Sequence, residues 1–200
     1  MNGITVPCPD ELVISVSEQT APNWAGLLRR GVGVVLDKAV SVREFMTSVL
    51  GMDLHYATHS VPGLFLNNAP VDDWGDEIVG GGDEVGMSGT MPGLCGIALR
   101  RSSPIKAFRP DLVDRQALDK HAGIATVKMF NFVAQDCYRP VLAHGVVLTA
   151  AEVLQYLNDQ GIVLQDCTCQ LNEESLPAER IRGVLQEQPG DIKLVVRVEG

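Results

Sequence analysis

Residues 145–161 read GVVLTAAEVLQYLNDQG, and the first four letters of this stretch occur once before, at residues 33–36. A second helix-like stretch, SVREFMTSVLG at residues 41–51, follows the earlier copy. Internal repeats constrain the architecture of a chain more than any single segment does. We therefore interpret the two stretches as one element, a strand followed by a helix, that is present once in each half of the chain.

Each helix-like stretch begins with the sequence pattern of a capping box. In Ser41-x-x-Glu44 and Thr149-x-x-Glu152, the hydroxyl is expected to accept a backbone N–H and the carboxylate to accept the N–H of the cap residue. The apolar residues that follow are spaced at i, i+3, i+4 and i+7, which predicts one buried helical face. They are Val42, Phe45, Met46 and Val49 in the first copy, and Ala150, Val153, Leu154 and Leu157 in the second.

The segments around the two helices repeat as well. Gly51 and Gly161 follow the helices and are expected to end them. LFLNNAPVDD and CQLNEESLPAE are each an apolar strand that runs into a polar turn, and GGGDEVGM and QPGDIKLVV each place a Gly-Asp turn before a last strand. ELVISVSE and TVKMFNFVAQD are rich in β-branched and aromatic residues, which predicts the first strand of each half. Each half is thus predicted as strand, strand, helix, strand, strand.

The repeat predicts an α+β fold made of two tandem domains, each a mixed sheet packed on one helix. The first domain is expected at residues 1–101 and the second at 124–200, with a linker at 102–123. Within the linker, residues 111–121 are expected to form a short helix. Cys95–Leu99, which has no counterpart in the second half, is predicted to be an extra strand that bridges the domains or covers a sheet edge.

These segments resemble the β-grasp, or ubiquitin-like, superfamily, and within it the sulfur-carrier branch of the thiamine-biosynthesis carrier and the small subunit of molybdopterin synthase. The resemblance rests on LNNAPVDD followed by GGGDEV, and it implies two tandem copies of the β-grasp fold. The carriers of this branch act through a free C-terminal Gly-Gly. Here the first copy continues past Met91-Pro92-Gly93, and the second ends in Glu199-Gly200. The resemblance therefore implies the scaffold without the sulfur-carrier reaction.

The composition narrows the classes of function. The net charge is −9, and the basic residues are scattered, so the sequence does not predict a nucleic-acid binder. No apolar run approaches the roughly 20 residues of a membrane-spanning helix, and the first residues do not form a signal-peptide pattern. Five cysteines without framework-like spacing favour free thiols in the cytoplasm. The sequence predicts no cofactor.

The acidic stretch at residues 66–87 has three alternative interpretations. Its carboxylates could bind a hard cation, its glycines could hold a phosphate, or the segment could form the turns of a sheet. We favour turns, because Asn67-Asn68 and Gly82-Asp83 are residue pairs that adopt turn conformations readily. The candidate cation ligands are Asp72, Asp73, Asp76, Glu77, Asp83 and Glu84. Trp74, together with Asp72, Asp73, Asp76 and Glu77, is predicted to form a surface for a protein partner.

Histidines and cysteines provide the candidate metal ligands. The spacing of His55 and His59 would place both rings on one face of a helix, and on one side of a strand as well. Cys167 and Cys169 would lie on one face of a strand, where they bind a metal or, as the favoured alternative, pack in the core. We expect Cys137 and His144 to flank a hairpin turn in DCYRPVLAHG, and a catalytic Cys–His pair there is a third alternative.

The sequence predicts a non-enzymatic protein that binds a protein partner as an adaptor, through its β-grasp sheet surfaces. The acidic composition suits a basic partner. The alternative is an accessory protein that binds a ligand or a transition metal through His55, His59, Cys167 and Cys169. No membrane or nucleic-acid partner is expected, and a homo-oligomer is an open alternative.

Overall fold

The structure of this protein, a computed structural model, describes residues 9–109, 120–162, 164 and 167–199. The strands within these ranges are β1 (Asp10–Ser17), β2 (Val32–Leu36), β3 (Val40–Ser41), β4 (Gly63–Leu66), β5 (Ala69–Pro70), β6 (Ile78–Val79), β7 (Glu84–Ser88), β8 (Gly123–Phe130), β9 (Val146–Thr149), β10 (Thr168–Leu171), β11 (Glu174–Ser175) and β12 (Asp191–Glu199). The helices are α1 (Leu27–Arg30), α2 (Val42–Glu44), α3 (Leu54–His59), α4 (Gly93–Leu99), α5 (Phe132–His144), α6 (Ala150–Asp159) and α7 (Ile181–Glu187). A π-helical turn, Phe45–Val49, extends α2. Residues 110–119, where most of the predicted linker helix falls, lie outside the described ranges.

Ten of these strands form one mixed sheet, in the order β11-β10-β1-β12-β9-β2-β8-β7-β4-β5, while β3 and β6 form a separate pair. The prediction of a chain with both helices and mixed strand pairing is therefore confirmed, but the strands form one large sheet where a separate sheet was expected in each of two domains. The sheet has an internal pseudo-two-fold symmetry about the junction between β2 and β9, because each strand on one side has a counterpart at the same distance on the other side. We call β2, β8, β7, β4 and β5 the first unit, and β9, β12, β1, β10 and β11 the second unit.

The parallel and antiparallel pairings follow the same pseudo-two-fold symmetry. In the first unit β8 is antiparallel to β2 and parallel to β7, and in the second unit β12 is antiparallel to β9 and parallel to β1. The registers agree too. Gly33 and Val147 pair with each other across the junction, and their partners on the next strands are Thr126 and Lys193. The two units therefore match position by position, as two related copies would.

The hairpin turns at the two ends of the sheet match in their hydrogen bonds. Asn67 follows β4, and its side chain accepts the backbone N–H of Glu84 at 2.9 Å. Asn172 follows β10, and its side chain accepts the backbone N–H of Glu11 at 2.9 Å. Asn67 has a φ of 51° and Asn172 a φ of 49°, values that asparagine tolerates better than most residues. The structural counterpart of the GDEV segment is therefore the PDEL segment at the start of β1.

Each unit contains one strand from the other half of the chain. β8 begins the second half but lies between β2 and β7 of the first unit, and β1 begins the first half but lies between β12 and β10 of the second unit. Each of these strands is followed by helical segments, ending in α1 or α5, that lead the chain into the other unit. Neither half of the chain therefore contains all five strands of its unit. The predicted domains 1–101 and 124–200, by contrast, would each contain every strand of their own sheet.

One face of the ten-stranded sheet packs against the helices. On β8, Ala125, Val127 and Met129 are fully buried in the core, while the alternate residues Thr126 and Lys128 are half-buried and lie outside it. β2 shows the same alternation, because successive side chains point to opposite faces, whereas β1 and β12 each also bury one valine on the other side, Val13 and Val195. Among the described residues, α1, α2, α3, α5, α6 and α7 all contribute to this core. We call the opposite side of the sheet the uncovered face.

Both predicted helices are present, and the predicted capping box is complete at Thr149 but only half formed at Ser41. The Thr149 hydroxyl accepts the Glu152 N–H, and the Glu152 carboxylate accepts the Thr149 N–H, which completes a capping box. At the other helix the Ser41 hydroxyl accepts the Glu44 N–H at 3.1 Å. Past the helix ends, Gly51 has a φ of 66° and Gly161 a φ of 58°, as expected for residues that end a helix.

Two predicted elements were wrong. The segment DCYRPVLAHG is the body of α5 and not a hairpin, because its apolar residues follow the helical period. These buried residues are Val133, Ala134, Cys137, Tyr138, Val141 and Leu142. Cys95–Leu99 lies in α4 and not in a strand. Its buried residues, Gly96 and Ala98, are both small. Two small residues do not make an apolar pattern that predicts a helix from sequence.

Candidate functional site

The acidic stretch forms turns, as predicted. Asn67 and Asn68 have φ values of 51° and 65°, and Gly82 has a φ of 86°. The Asp83 carboxylate is buried, and it accepts hydrogen bonds from the Gly80 N–H at 2.7 Å and from the Asn67 side chain at 2.9 Å. Lys120 Nζ lies 2.7 Å from both carboxylate oxygens. Asp83 therefore stabilises the turn and links it to Asn67 and Lys120, which are distant in sequence.

These partners also set the pKa of Asp83. Burial alone would raise the pKa, because it penalises the charged form. The hydrogen bonds from Asn67, Lys120 and Gly80 stabilise the carboxylate more, so the pKa of Asp83 is lowered below its usual value. A carboxylate in this setting is a structural anion.

Two of the residues in the predicted partner surface are bound to neighbouring segments. The Arg101 guanidinium lies 4.6 Å from the centre of the half-buried Trp74 ring, within the range of a cation–π contact. Asp72 accepts two hydrogen bonds from the Arg109 guanidinium, at 2.8 and 3.0 Å, and Arg109 is the main cause of the lowered pKa of Asp72. Asp73 accepts the Gly75 N–H. Asp73 and Asp76 are exposed, and Glu77 is half-buried.

The structure places His55 and His59 together on α3, where both are exposed. Their rings are stacked, with 4.3 Å between the centroids. The Nδ1 atom of His59 lies 2.9 Å from the His55 carbonyl oxygen, which fixes the orientation of the second ring. Across the described part of the chain, no group of three or more His, Cys, Asp or Glu side chains is arranged to hold a metal ion.

The cysteine pair is divided between two environments. Cys169 lies in β10 and is buried in the core, while Cys167 is half-buried just before that strand. Burial raises the pKa of the Cys169 thiol to about 11, so it carries a proton at neutral pH. A thiolate is the form that binds metals, and this setting disfavours it.

Cys137 and His144 do not form a pair across a hairpin. Both lie on α5, seven residues apart, which corresponds to about 10 Å along the helix. Cys137 is buried and His144 is exposed. Burial raises the pKa of Cys137 to about 12, and the nearby Asp136 carboxylate adds to the shift. The thiol is thus protonated and far from the imidazole, unlike an activated nucleophile.

The uncovered face of the first unit contains a depression of about 380 Å³, which we call the hollow. Gly86 on β7 is at its floor, between Lys128 of β8 and Phe65 of β4, its paired neighbours on the adjacent strands. Because Gly86 has no side chain, the sheet is left open between these two residues. The lining residues are Phe65, Asn68, Glu84, Gly86, Lys128 and Phe130.

Gly86 is not required by the backbone or the packing. A Cβ atom at this position would lie 3.6 Å from Cβ of Phe65 and 3.8 Å from its Cδ2, which are ordinary van der Waals distances. By contrast, a Cβ atom on Gly33 would lie 2.8 Å from Cγ2 of Ile124, and Gly33 is needed to close the junction between the units. The fold therefore has room for a larger residue at the floor of the hollow. The open space results from the glycine at position 86 and not from a requirement of the fold.

The matching position in the second unit is filled. Val13 on β1 corresponds to Gly86, and its paired neighbours are Val195 of β12 and Gln170 of β10. Val13 is 7% exposed and Val195 is 3% exposed, although both lie on the uncovered face. The two valines are direct partners on adjacent strands, and both side chains are almost fully shielded from solvent. One of two matching surfaces is thus open and the other is closed.

Phe130 lines the hollow, and the two residues that follow it form an exposed segment with an unusual backbone. Asn131 follows β8 with φ 56° and ψ −139°, a conformation that a non-glycine residue adopts at a cost of about 1–3 kcal/mol. Its side chain donates to the Ser88 hydroxyl at 3.2 Å. The flanking Phe130 and Phe132 rings are 41% and 42% exposed. Strained residues persist where the surroundings hold them, and they cluster at functional sites.

Only part of this site was predicted from the sequence. Glu84 was among the predicted cation ligands, but Phe65, Gly86, Lys128 and Phe130 were not predicted as site residues. They come from three strands, and their proximity depends on the pairing of β8 with the first half of the chain. A glycine between the apolar residues Val85 and Met87 was the one local sign of a gap in the uncovered face.

No protein-family model, curated protein or solved structure matches this chain. None of the helices in the described ranges combines the length and the apolar character that crossing a membrane requires. The assignment of the site therefore rests on its geometry.

Proposed function

We propose that this protein is a non-enzymatic protein-binding module that docks a partner on the uncovered face of its sheet, at the hollow. The observation that carries the proposal is the difference between the units: the hollow is open over Gly86, whereas Val13 and Val195 fill the matching site. Since the fold has room for a side chain at Gly86, as it has for Val13 in the second unit, packing alone does not explain the open surface of the first unit. Exposed aromatic rings at a depression are typical anchors of protein interfaces.

The lining of the hollow favours binding over chemistry. Lys128 Nζ is 2.6 Å from a Glu84 carboxylate oxygen, so the two ionisable side chains of the lining neutralise each other. The remaining lining is two phenylalanine rings, a glycine and an asparagine. A volume of about 380 Å³ accommodates one or two bulky side chains, and it falls in the lower part of the range for specific sites.

We further propose that each unit is β-grasp-like, as the resemblance implies. In support, the order β2-β8-β7-β4-β5 places two parallel strands at the centre, with antiparallel neighbours on both sides and a helix after β2. Proteins with exposed sheet faces and edges often bind partners through them. The free thiols of Cys95, Cys137 and Cys169 support the further proposal of a cytoplasmic location.

A peptide selection tests the proposed docking site. Peptides from a random phage-displayed library would be selected on the wild-type chain, and their affinities would be measured for Gly86→Val, which copies the second unit. We expect the selected peptides to contain an aromatic residue and to bind Gly86→Val at least about tenfold more weakly. Val13→Ala is the matched control and should leave the affinity unchanged. Equal affinity for the wild type and Gly86→Val would refute the docking site.

A second candidate function, transition-metal binding, is supported by the stacked pair His55 and His59. The hydrogen bond at Nδ1 of His59 leaves its Nε2 atom for a metal, and paired imidazoles suit Zn²⁺, Ni²⁺ and Cu²⁺. Cys167 and Cys169 are weaker candidates, because Cys169 is buried and protonated. Calorimetric titration with Ni²⁺ tests the pair: His59→Ala should abolish binding and His144→Ala should preserve it. Absence of binding to the wild type would reject this candidate.

A further inference from the structure

The hollow has an exposed aromatic ring on its own rim. Phe130 is both a lining residue of the hollow and 41% exposed, and it lies one residue from the strained Asn131. A surface that carries a projecting ring beside an open space is complementary to a second copy of itself. Two-fold symmetric interfaces require this property, since each contact is made twice with the roles exchanged.

The charges at the hollow are self-complementary as well. Glu84 and Lys128 are both about one-third exposed, and they lie side by side on neighbouring strands. A second copy related by a two-fold axis would place its lysine near this glutamate and its glutamate near this lysine. A foreign partner of either charge would leave one member of the pair opposed by a like charge. The local charge pattern therefore favours a second copy of this chain over a basic peptide.

We propose that the occupant of the hollow is Phe130 of a second copy, in a two-fold symmetric dimer that joins the uncovered faces of two first units. This inference rests on the proposed docking site. Each Phe130 ring would pack over the partner's Gly86, beside the partner's Phe65, in a contact that aromatic rings favour. The filled surface of the second unit explains why the contact forms at one end of the sheet.

The available area predicts a weak dimer. The five strands of the first unit span about 24 Å and β7, with five residues, is about 17 Å long, so this face covers about 400 Å², half of the roughly 800 Å² per partner of stable complexes. The net charge of −9 on each copy also opposes association. We therefore expect a monomer–dimer equilibrium that depends on concentration.

Sedimentation velocity over about a hundredfold range of concentration tests this proposal. The wild type should shift from monomer to dimer, and Gly86→Val should raise the dissociation constant at least about tenfold. Arg197→Ala, in the second unit at the position that matches Phe130, is the control and should dimerise like the wild type. A wild-type chain that stays monomeric throughout, or a dimer unaffected by Gly86→Val, would overturn the proposal.

A mixing experiment tests the symmetry of the contact. Glu84→Lys and Lys128→Glu should each be monomeric alone, because like charges would meet across the axis. An equimolar mixture should form a heterodimer, in which two lysines of one copy face two glutamates of the other. Monomers after mixing, together with a wild-type dimer, would place the dimer contact elsewhere.

The experiments distinguish failure of the proposed dimer from failure of the proposed docking site. If the wild type is monomeric while selected peptides still lose affinity for Gly86→Val, the hollow binds another protein and the second copy is the wrong occupant. If neither dimerisation nor peptide binding depends on Gly86, both the proposed function and this inference fail.

Discussion

The two units share a core and differ on the uncovered face. Matching core positions are apolar in both, as with Met87 and Ile14, or Leu64 and Cys169. On the uncovered face Glu84 and Ser88 have identical counterparts, Glu11 and Ser15, but the residues around the hollow differ in kind. Phe65 corresponds to Gln170, Gly86 to Val13, Lys128 to Val195 and Phe130 to Arg197. Packing therefore constrains one face in both units, while these four positions make the other face open in one unit and closed in the other.

The largest expected effect concerns the aspartates that begin β7 and β1. Asp83 is buried and bound to Lys120, whereas Asp10 is half-buried and accepts from Asn172 and Gln188. Removal of one partner from a buried ion pair is strongly destabilising. We expect Asp83→Ala to lower the free energy of unfolding by about 3 kcal/mol and Asp10→Ala by about 1 kcal/mol, measured by urea denaturation. Equal losses would mean that the two turns are energetically equivalent.

The pH dependence of stability should follow the same aspartates. The folded-state pKa values of Asp83 and Asp72 are lowered, so their contribution is complete above the unfolded-state pKa of about 4 and is lost as the pH falls further. We expect the free energy of unfolding to be level near neutral pH and to decrease below about pH 5. The decrease should be shallower in Asp83→Asn. An unchanged slope in that variant would show that other carboxylates control acid unfolding.

An exchange of the floor residues is expected to have opposite effects in the two units. Val13→Gly removes a buried side chain and adds backbone freedom, so we expect a loss of about 2 kcal/mol in the free energy of unfolding. Gly86→Val fills an open position, and we expect a gain of about 0.5 kcal/mol. Thermal and urea denaturation of both variants would measure this. A destabilised Gly86→Val would indicate that the hollow is a packing requirement.

The smallest expected difference concerns the helix caps. Thr149 takes part in a complete capping box, while the Ser41 side chain accepts one N–H. We expect Thr149→Ala to cost about 1 kcal/mol and Ser41→Ala about 0.5 kcal/mol in the free energy of unfolding. Substitution by serine at Thr149 is the control and should retain most of the stability. A larger loss for Ser41→Ala would show that the π-helical turn depends on its cap.

Local signals in the sequence predicted the local elements well. The helices after Ser41 and Thr149 were recognised by caps and apolar spacing, and the Asn67-Asn68 turn by residue type, because each depends on residues close in sequence. Segment α5 was misread as a hairpin because Tyr138 and Pro140, and the β-branched residues around them, have low helix propensity. Packing of its buried face against the sheet overrides that propensity.

The arrangement of strands and the site could not be predicted in the same way. The first strands of the two halves, β1 and β8, are both apolar strands of eight residues and could pair with either unit, so sequence pattern does not decide the exchange. The hollow depends on that exchange, because Lys128 and Phe130 reach Gly86 through the pairing of β8 with β7. Matching GVVL in sequence also aligned Gly33 with Gly145, whereas the structural counterpart of Gly145 is Gly31, with φ values of 98° and 99°.

Amide NMR would show whether a partner docks on the first unit and not on the second. Spectra of the ¹⁵N-labelled chain would be recorded with increasing amounts of a phage-selected peptide. We expect the largest shift changes at Phe65, Gly86 and Phe130, and no change at Val13 and Val195. Changes centred on the two valines, or spread equally over both units, would contradict it.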